Sequence, residues 1–241
     1  VGAKVQQAYD TYRAGNQVTL ESGTKRVGLT FGADFKSDSI PGIGSVEQTA
    51  LLASASFAYG FGNGLEASMS MPLAYTVSRG NLFGQELPSD PDFSLGNVTF
   101  GLAAAVPNNF VSLTALGSVS VPTEGDGGVQ TSLGFSFDKV MQPAFGYVGA
   151  SWNRDWDTGV NALGWNAGLG FALNHNLSAG AEVDGLYRFG DIDGGSRMSA
   201  SATLKATWLI SDRLAVVPSV GWGLVGDVPD ASLRLGLSYQ F

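Results

Sequence analysis

The chain has 241 residues, 44% of them hydrophobic and 14% charged, with 34 glycines and a formal charge of -8, which is short of charge and rich in glycine for a water-exposed globular surface. The acidic balance speaks against nucleic acid as a partner, since neutralising phosphates takes a basic patch, and the absence of cysteine rules out a disulfide scaffold or a thiolate metal site. No run approaches the roughly 18 apolar residues of a membrane helix, and no basic segment precedes an apolar one at Val1, so a spanning helix is excluded and any signal peptide is expected to have been removed.

Residues 3–14 predict the one convincing helix, with Val5, Tyr9 and Tyr12 on one face and Gly15 as its C-terminal stop. It is short and mostly polar, and alone it would be marginal in water. Residues 1–24 therefore read as a helix and linker, and 25–241 as a separate unit.

From Arg26 onward the period becomes two. Val27, Leu29, Phe31, Ala33 and Phe35 alternate with Gly28, Thr30, Gly32, Asp34 and Lys36. A second strand carries Leu51, Ala53, Ala55, Phe57, Tyr59 and Phe61, and Gly62-Asn63-Gly64 follows as a strong hairpin signal. Further strands present Ala67 to Val77, Val98 to Ala104, Val111 to Val121 and Leu133 to Phe137. The segment Tyr147 to Trp156 is ambiguous in phase. Trp165 to Phe171, Ala179 to Phe189, Ala200 to Trp208, Val216 to Leu224 and a terminal stretch from Asp230 to Phe241 complete a count of about twelve.

The predicted connections alternate in length. Tight turns fall at Gly62–Gly64, Asn108–Asn109, Gln142–Ala144, Asn174–Asn176 and Asp212–Arg213. Longer acidic or glycine-rich loops fall at Ser37–Gln48, Gly80–Asp92, Glu124–Gln130, Asp157–Gly159, Asp191–Ser196 and Val225–Pro229. A soluble β-sandwich has no reason to gather its short turns at one end, whereas an outer-membrane barrel does. The polar faces are mainly Ser, Gly, Asn and Ala, which suit a lumen better than a solvated sandwich face. Tyr59, Tyr75, Trp152, Trp156, Trp165, Tyr187, Phe189, Trp208, Trp222, Tyr239 and Phe241 fall towards strand ends, as interfacial girdles do. The expected fold is all-β: an antiparallel transmembrane barrel in the Gram-negative outer membrane, surrounded by its lipid.

The last strand, with Leu233, Leu235, Leu237, Tyr239 and Phe241 at every second position, resembles the terminal strand of bacterial outer-membrane barrels. That resemblance implies engagement of the barrel assembly machinery through the strand ending in Phe241. The segments Ala8–Gly15 running into Leu20-Glu21, Phe57–Tyr75, and Leu95–Gly101 resemble a family of small outer-membrane transporters, the secretion channels of Fap functional-amyloid systems. Membership would imply a twelve-stranded barrel, plugged by its N-terminal helix and assembled as a homotrimer, that exports amyloid-type protein subunits. A passive diffusion porin and an autotransporter translocator are the other readings that a barrel of this size allows.

No catalytic constellation is legible, and neither enzymatic activity nor a cofactor is expected. The lone His175 sits in a predicted turn, where a solvated side chain is its simplest role, and no His or Cys cluster offers a metal site. The loop carboxylates Asp90, Asp92, Asp155, Asp157, Asp191, Asp193, Asp227 and Asp230 are of a type that could bind calcium, but a solvated loop is the simpler reading. Gly168 and Gly170 are no phosphate loop, because no helix follows them.

The charges expected to line the pore are Arg26, Asp34, Lys36, Glu66, Glu182, Asp184, Arg188, Lys205 and Arg234. Two roles are open to them: cross-strand pairs that brace the wall, or partners for Lys4, Asp10 and Arg13 of the plug. Twelve strands about 4.8 Å apart and tilted about 40° make a wall roughly 24 Å across. One helix of about 10–12 Å fits inside it.

Overall fold

The structure, a computed structural model, describes residues 19–40, 44–83, 85–106, 111–123, 128–141, 143–190 and 196–241. The predicted helix and its residues Lys4, Val5, Tyr9, Asp10, Tyr12 and Arg13 lie outside the described residues, as do Asn108, Asn109, Gln142, Asp191 and Asp193.

The strands are β1 (Lys25–Ile40), β2 (Gly44–Gly62), β3 (Leu65–Leu82), β4 (Gln85–Glu86), β5 (Asp90–Leu95), β6 (Val98–Val106), β7 (Ser112–Val121), β8 (Gln130–Met141), β9 (Ala144–Asp155), β10 (Asn161–Ala172), β11 (Leu177–Phe189), β12 (Met198–Leu209), β13 (Leu214–Val225) and β14 (Ala231–Gln240). The main sheet is antiparallel and closes on itself. β1 pairs with β14 from Arg26↔Gln240 to Phe35↔Ala231 and with β2 on its other side. Closure leaves the lower wall without a free edge to template unwanted pairing. β4, β5 and β6 all pair with β3 and form one stave in three pieces, so the described strands make a barrel of twelve staves.

The alternation sorts the faces. Leu29, Phe31, Phe57, Phe100, Leu133, Phe135, Leu169, Leu204 and Leu235 point outward and are exposed, making an apolar belt of the kind a bilayer covers. Their neighbours in sequence face the lumen and are mostly small or hydroxylic. Both ends of the barrel chain meet at the short-turn end, where Lys25 and Phe241 exchange backbone hydrogen bonds of 2.9 Å. In the β2–β3 turn at that end Asn63 takes φ 52°, and in the β10–β11 turn the N–H groups of Asn176 and Leu177 donate to Asn174 Oδ1 at 2.8 and 2.9 Å. His175 lies exposed in that turn.

Two features depart from the sequence expectation. The predicted loop Ser37–Gln48 is largely strand, with Ser37↔Glu47, Asp38↔Val46 and Ser39↔Ser45 in register, and β3 likewise runs through Gly80 to Leu82. Apolar alternation stops near Phe35 because the belt ends there, but backbone pairing needs no apolar side chains and carries the hairpin further out. The fourth stave also breaks phase. Three steps along β3, from Leu73 to Ser70, match four along its partner, from Leu95 to Thr99. That is a β-bulge at Gly96-Asn97, and it moves the outward set from Phe93 and Leu95 to Phe100 and Leu102. The Gly96 N–H donates to Pro72 O at 2.8 Å.

Candidate functional site: the lumen wall

The inner side of β10 is nearly bare, carrying Ala162, Gly164, Asn166, Gly168, Gly170 and Ala172. The neighbouring β9 fills the space. Its phase, unreadable from sequence, is fixed by the pairs Phe135↔Ala150 and Phe137↔Val148, which turn Phe145 and Tyr147 inward. A Cβ on Gly168 would stand 2.3 Å from Tyr147 Cζ, and one on Gly170 would stand 2.3 Å from Phe145 Cε2. Both glycines are therefore required by close approach of a ring, and neither by a phosphate.

Over this bare strand runs a polar network. Tyr147 Oη donates to Glu182 Oε2, Lys205 Nζ donates to the same oxygen at 2.7 Å, and Lys205 stands 5.9 Å from the Tyr147 ring centroid. Ser201 Oγ donates to Asp184 Oδ2 at 2.9 Å. The network ties β9, β11 and β12 together across β10. The side chains of Lys205 and Glu182 are only 9% and 13% exposed, so their charges satisfy each other with little help from water.

A second cluster occupies β1, β3 and β14. Arg26 pairs with Glu66 at 3.2 Å, reaching from β1 to β3 across the small positions Ala58 and Gly60 of β2. The other Glu66 oxygen accepts the Leu20 backbone N–H at 3.0 Å. Residues 19–24 consequently lie on the inner wall: Gly23 N–H donates to Gly60 O at 2.8 Å, and Gly60 N–H donates to Thr24 O at 2.9 Å. A Cβ on Gly60 would fall 2.2 Å from Glu21 O, so glycine is required where the entering backbone crosses β2. Leu20 is 8% exposed. Higher up, Arg234 pairs with Asp34 at 2.6 Å and donates to Ala33 O at 3.1 Å.

At the long-loop end Lys36 contacts Asp227 and lies 3.5 Å from Asp38, while Ser37 N–H donates to Asp230 Oδ2 at 2.7 Å. The Lys36 ammonium holds the Asp227 carboxyl below the ordinary carboxylate range. Arg188 donates to Ser196 O at 3.2 Å. Beside it a cavity of 850 Å³ is lined by Ser118, Ser120, Gln130, Ser132 and Asn153 together with Val160, Ala162 and Leu186.

All nine charges expected to line the pore thus stand at inward positions, and eight of them take part in the contacts above as ion pairs or hydroxyl bonds, with Arg188 bound to a backbone carbonyl. Missed in the sequence were Phe145, Tyr147 and Asp138. The last extends the inward series Ser132, Gly134, Ser136 of β8, and accepts from Ser136 Oγ at 3.0 Å. The wall here is covered: Ser136 and Phe145 are 0% exposed and Ser178 and Thr207 1%, although all four face the lumen. No group of His, Cys, Asp or Glu able to hold a metal occurs among the described residues.

No protein-family model matches the chain, and no curated protein matches it in sequence. Its fold is similar to those of solved outer-membrane proteins. An outer-membrane channel from Pseudomonas putida F1 matches with a TM-score of 0.64 and 13% identity, covering 94% of this chain and 98% of the other. The NanC porin matches at 0.58 with 9% identity, over 88% and 98%. The translocator domain of the autotransporter NalP from Neisseria meningitidis matches at 0.56 with 11% identity, over 100% and 95%. At such identities the likeness is one of fold, and that fold is the outer-membrane β-barrel of channels, porins and translocators.

Proposed function

We propose that this chain is a gated channel of the Gram-negative outer membrane that exports unfolded, amyloid-type protein subunits, with residues 3–14 as its plug. The observation that carries the gating is the route of residues 19–24. They lie on the inner wall, held by the bonds of Glu66 to Leu20 and of Gly60 to Gly23 and Thr24, so the chain approaches β1 from the lumen side. The covered patch around Ser136, Phe145, Ser178 and Thr207 is a surface on which a plug would seat. Asp138 brings a carboxylate to it for Lys4 or Arg13. The choice of cargo rests on the sequence resemblance, as does assembly as a homotrimer; membrane insertion would proceed through the terminal strand ending in Phe241.

Planar-bilayer recordings test the gate. The intact chain should be mostly closed, and a chain starting at Thr24 should be steadily open. Equal conductance of the two would remove the plug and leave a passive porin, the reading that the small, hydroxylic lumen also suits. Cargo is tested by secretion. Cells lacking the chain should retain amyloid-type subunits that cells expressing it release, and unchanged release would refute export.

A further inference from the structure

The cavity beside Arg188 is formed by the long-loop ends of β7 to β11. The covered patch of Ser136, Phe145, Ser178 and Thr207 lies towards the short-turn ends of β8, β9, β11 and β12, so the cavity stands on its external side, because short turns mark the periplasmic end of such barrels. One wall of the cavity is polar. Asn153 uses its Nδ2 on Ser151 Oγ at 3.2 Å and Gln130 its Nε2 on Asp155 Oδ2 at 3.4 Å, which leaves both amide oxygens as acceptors beside the Ser132 hydroxyl. The other wall is apolar. The inner side of β10 is bare at Gly164, where an added Cβ would stand 3.2 Å from Asn153 Nδ2 and 3.7 Å from Leu186 Cδ1, and Leu186 lines the cavity there with Val160 and Ala162.

Two arginines line the cavity. The Arg154 guanidinium stacks on Trp156, 4.6 Å from the ring centroid. Arg188 donates to a backbone carbonyl, Ser196 O, and among the described residues it has no carboxylate at ion-pair distance. Asp227, whose field reaches it, is held by Lys36, and Asp155 is held by the N–H groups of Asp157 and Thr158 at 2.9 and 3.1 Å. Arg188 therefore keeps donors of its planar fork for an anion from outside the chain. One such cation suits a carboxylate, and acceptors, a hydroxyl and an apolar wall side by side suit a polypeptide, which offers N–H and C=O groups with side chains alternating between them. We propose, resting on the export reading above, that this cavity docks an acidic segment of the exported polypeptide in extended form. Its carboxylate lies on Arg188, its N–H groups on the amide oxygens of Gln130 and Asn153, and an apolar side chain against Leu186.

The test is binding of fluorescein-labelled peptides to the purified full chain in detergent micelles, read as fluorescence anisotropy, with one peptide centred on Leu-Glu-Leu and its twin on Leu-Gln-Leu. The parent should bind the Glu peptide about tenfold more tightly, the factor that one charge-assisted hydrogen bond supplies. Arg188→Gln should abolish that preference and leave the weaker binding of the Gln peptide, and Ala162→Phe, which fills the apolar wall, should weaken binding of both. Heat-modifiable migration reports folding of each variant, and Ser118→Leu serves if Ala162→Phe fails to fold. Millimolar acetate should leave the Glu peptide bound. Equal binding of the twin peptides by the parent, a preference kept in Arg188→Gln, unchanged binding in both cavity-filling variants, or displacement by acetate alone would each overturn the proposal. Such a failure leaves export itself standing, because export is read separately as release of subunits by cells.

Discussion

The phenol of Tyr147 occupies the space a side chain at Gly168 would need, with Cζ 2.3 Å from where that Cβ would stand. Any larger residue at 168 must push the ring off β10 and draw its hydroxyl away from Glu182. Gly168→Val should therefore lower the stability of the barrel by roughly 1–3 kcal/mol, the usual cost of overpacking, read from urea unfolding in detergent micelles. Gly117→Ala is the control, because a Cβ there meets Leu133 Cδ2 at an ordinary 3.5 Å. Equal destabilisation by both would mean that the Tyr147 contact carries no special weight.

The Lys205–Glu182 pair predicts a strongly non-additive pair of substitutions. Glu182→Gln leaves the Lys205 ammonium facing the covered lumen wall without its 2.7 Å carboxylate. Removing one partner of a buried pair costs about 3 kcal/mol, whereas replacing both by apolar residues of similar size is close to neutral. Lys205→Met combined with Glu182→Leu should recover most of what either single change loses. Additive losses in urea midpoints would show that the two side chains do not act as a pair.

How much of this was legible beforehand depends on what each feature rests on. Belt and lumen sort by side-chain type at period two, so Leu29, Phe31 and Leu235 outside, with Asp34, Lys205 and Arg234 inside, follow from the chain alone. The β1–β2 hairpin above Phe35 was not legible, because its pairing is carried by backbone groups that Ser37, Ser39 and Ser45 do not advertise. The bulge at Gly96-Asn97 was hidden for the same reason: an inserted residue shows only as a change of phase. Tyr147 and Phe145 were missed because apolar side chains occupy both faces of β9. Only the partner strands decide between those faces, since Phe135 and Phe137 of β8 are fixed outward and impose their register. Which charges would pair also needed the third dimension, as Arg26 and Glu66 belong to staves that are not neighbours.

The loop after β13 should respond to acid. Around Asp227 stand Lys36, Asp38, Asp230 and, more distantly, Arg188. Because Lys36 depresses the Asp227 carboxyl, its contribution is fully present above the ordinary aspartate value of about 4 and is lost as pH falls through the lower folded value. Open-channel noise in a chain starting at Thr24 should therefore be flat from pH 7 to 5 and rise towards pH 3. Asp227→Asn should be as noisy at pH 7 as the parent is in acid, and molar salt should narrow the difference, since the pair is exposed. A parent trace as noisy at pH 7 as at pH 3 would count against the tether.

Glu66 makes the last and sharpest case, because one carboxylate holds both Arg26 and the backbone of Leu20. Glu66→Gln keeps size and a hydrogen-bond acceptor but removes the charge, so Arg26 loses its ion pair while the Leu20 N–H keeps a weaker partner. Glu66→Ala removes both. If the entry segment is held by this residue, opening frequency in planar bilayers should rise from parent to Glu66→Gln to Glu66→Ala, with single-channel conductance unchanged because the wall is intact. Arg26→Met separates the two roles: it removes the ion pair but leaves the Leu20 bond, and should open less often than Glu66→Ala. In a chain starting at Thr24 there is no Leu20 to hold, so Glu66→Ala should change nothing in opening frequency there. An effect of equal size in the truncated chain would mean that Glu66 acts on the wall alone and that the route of residues 19–24 plays no part in gating.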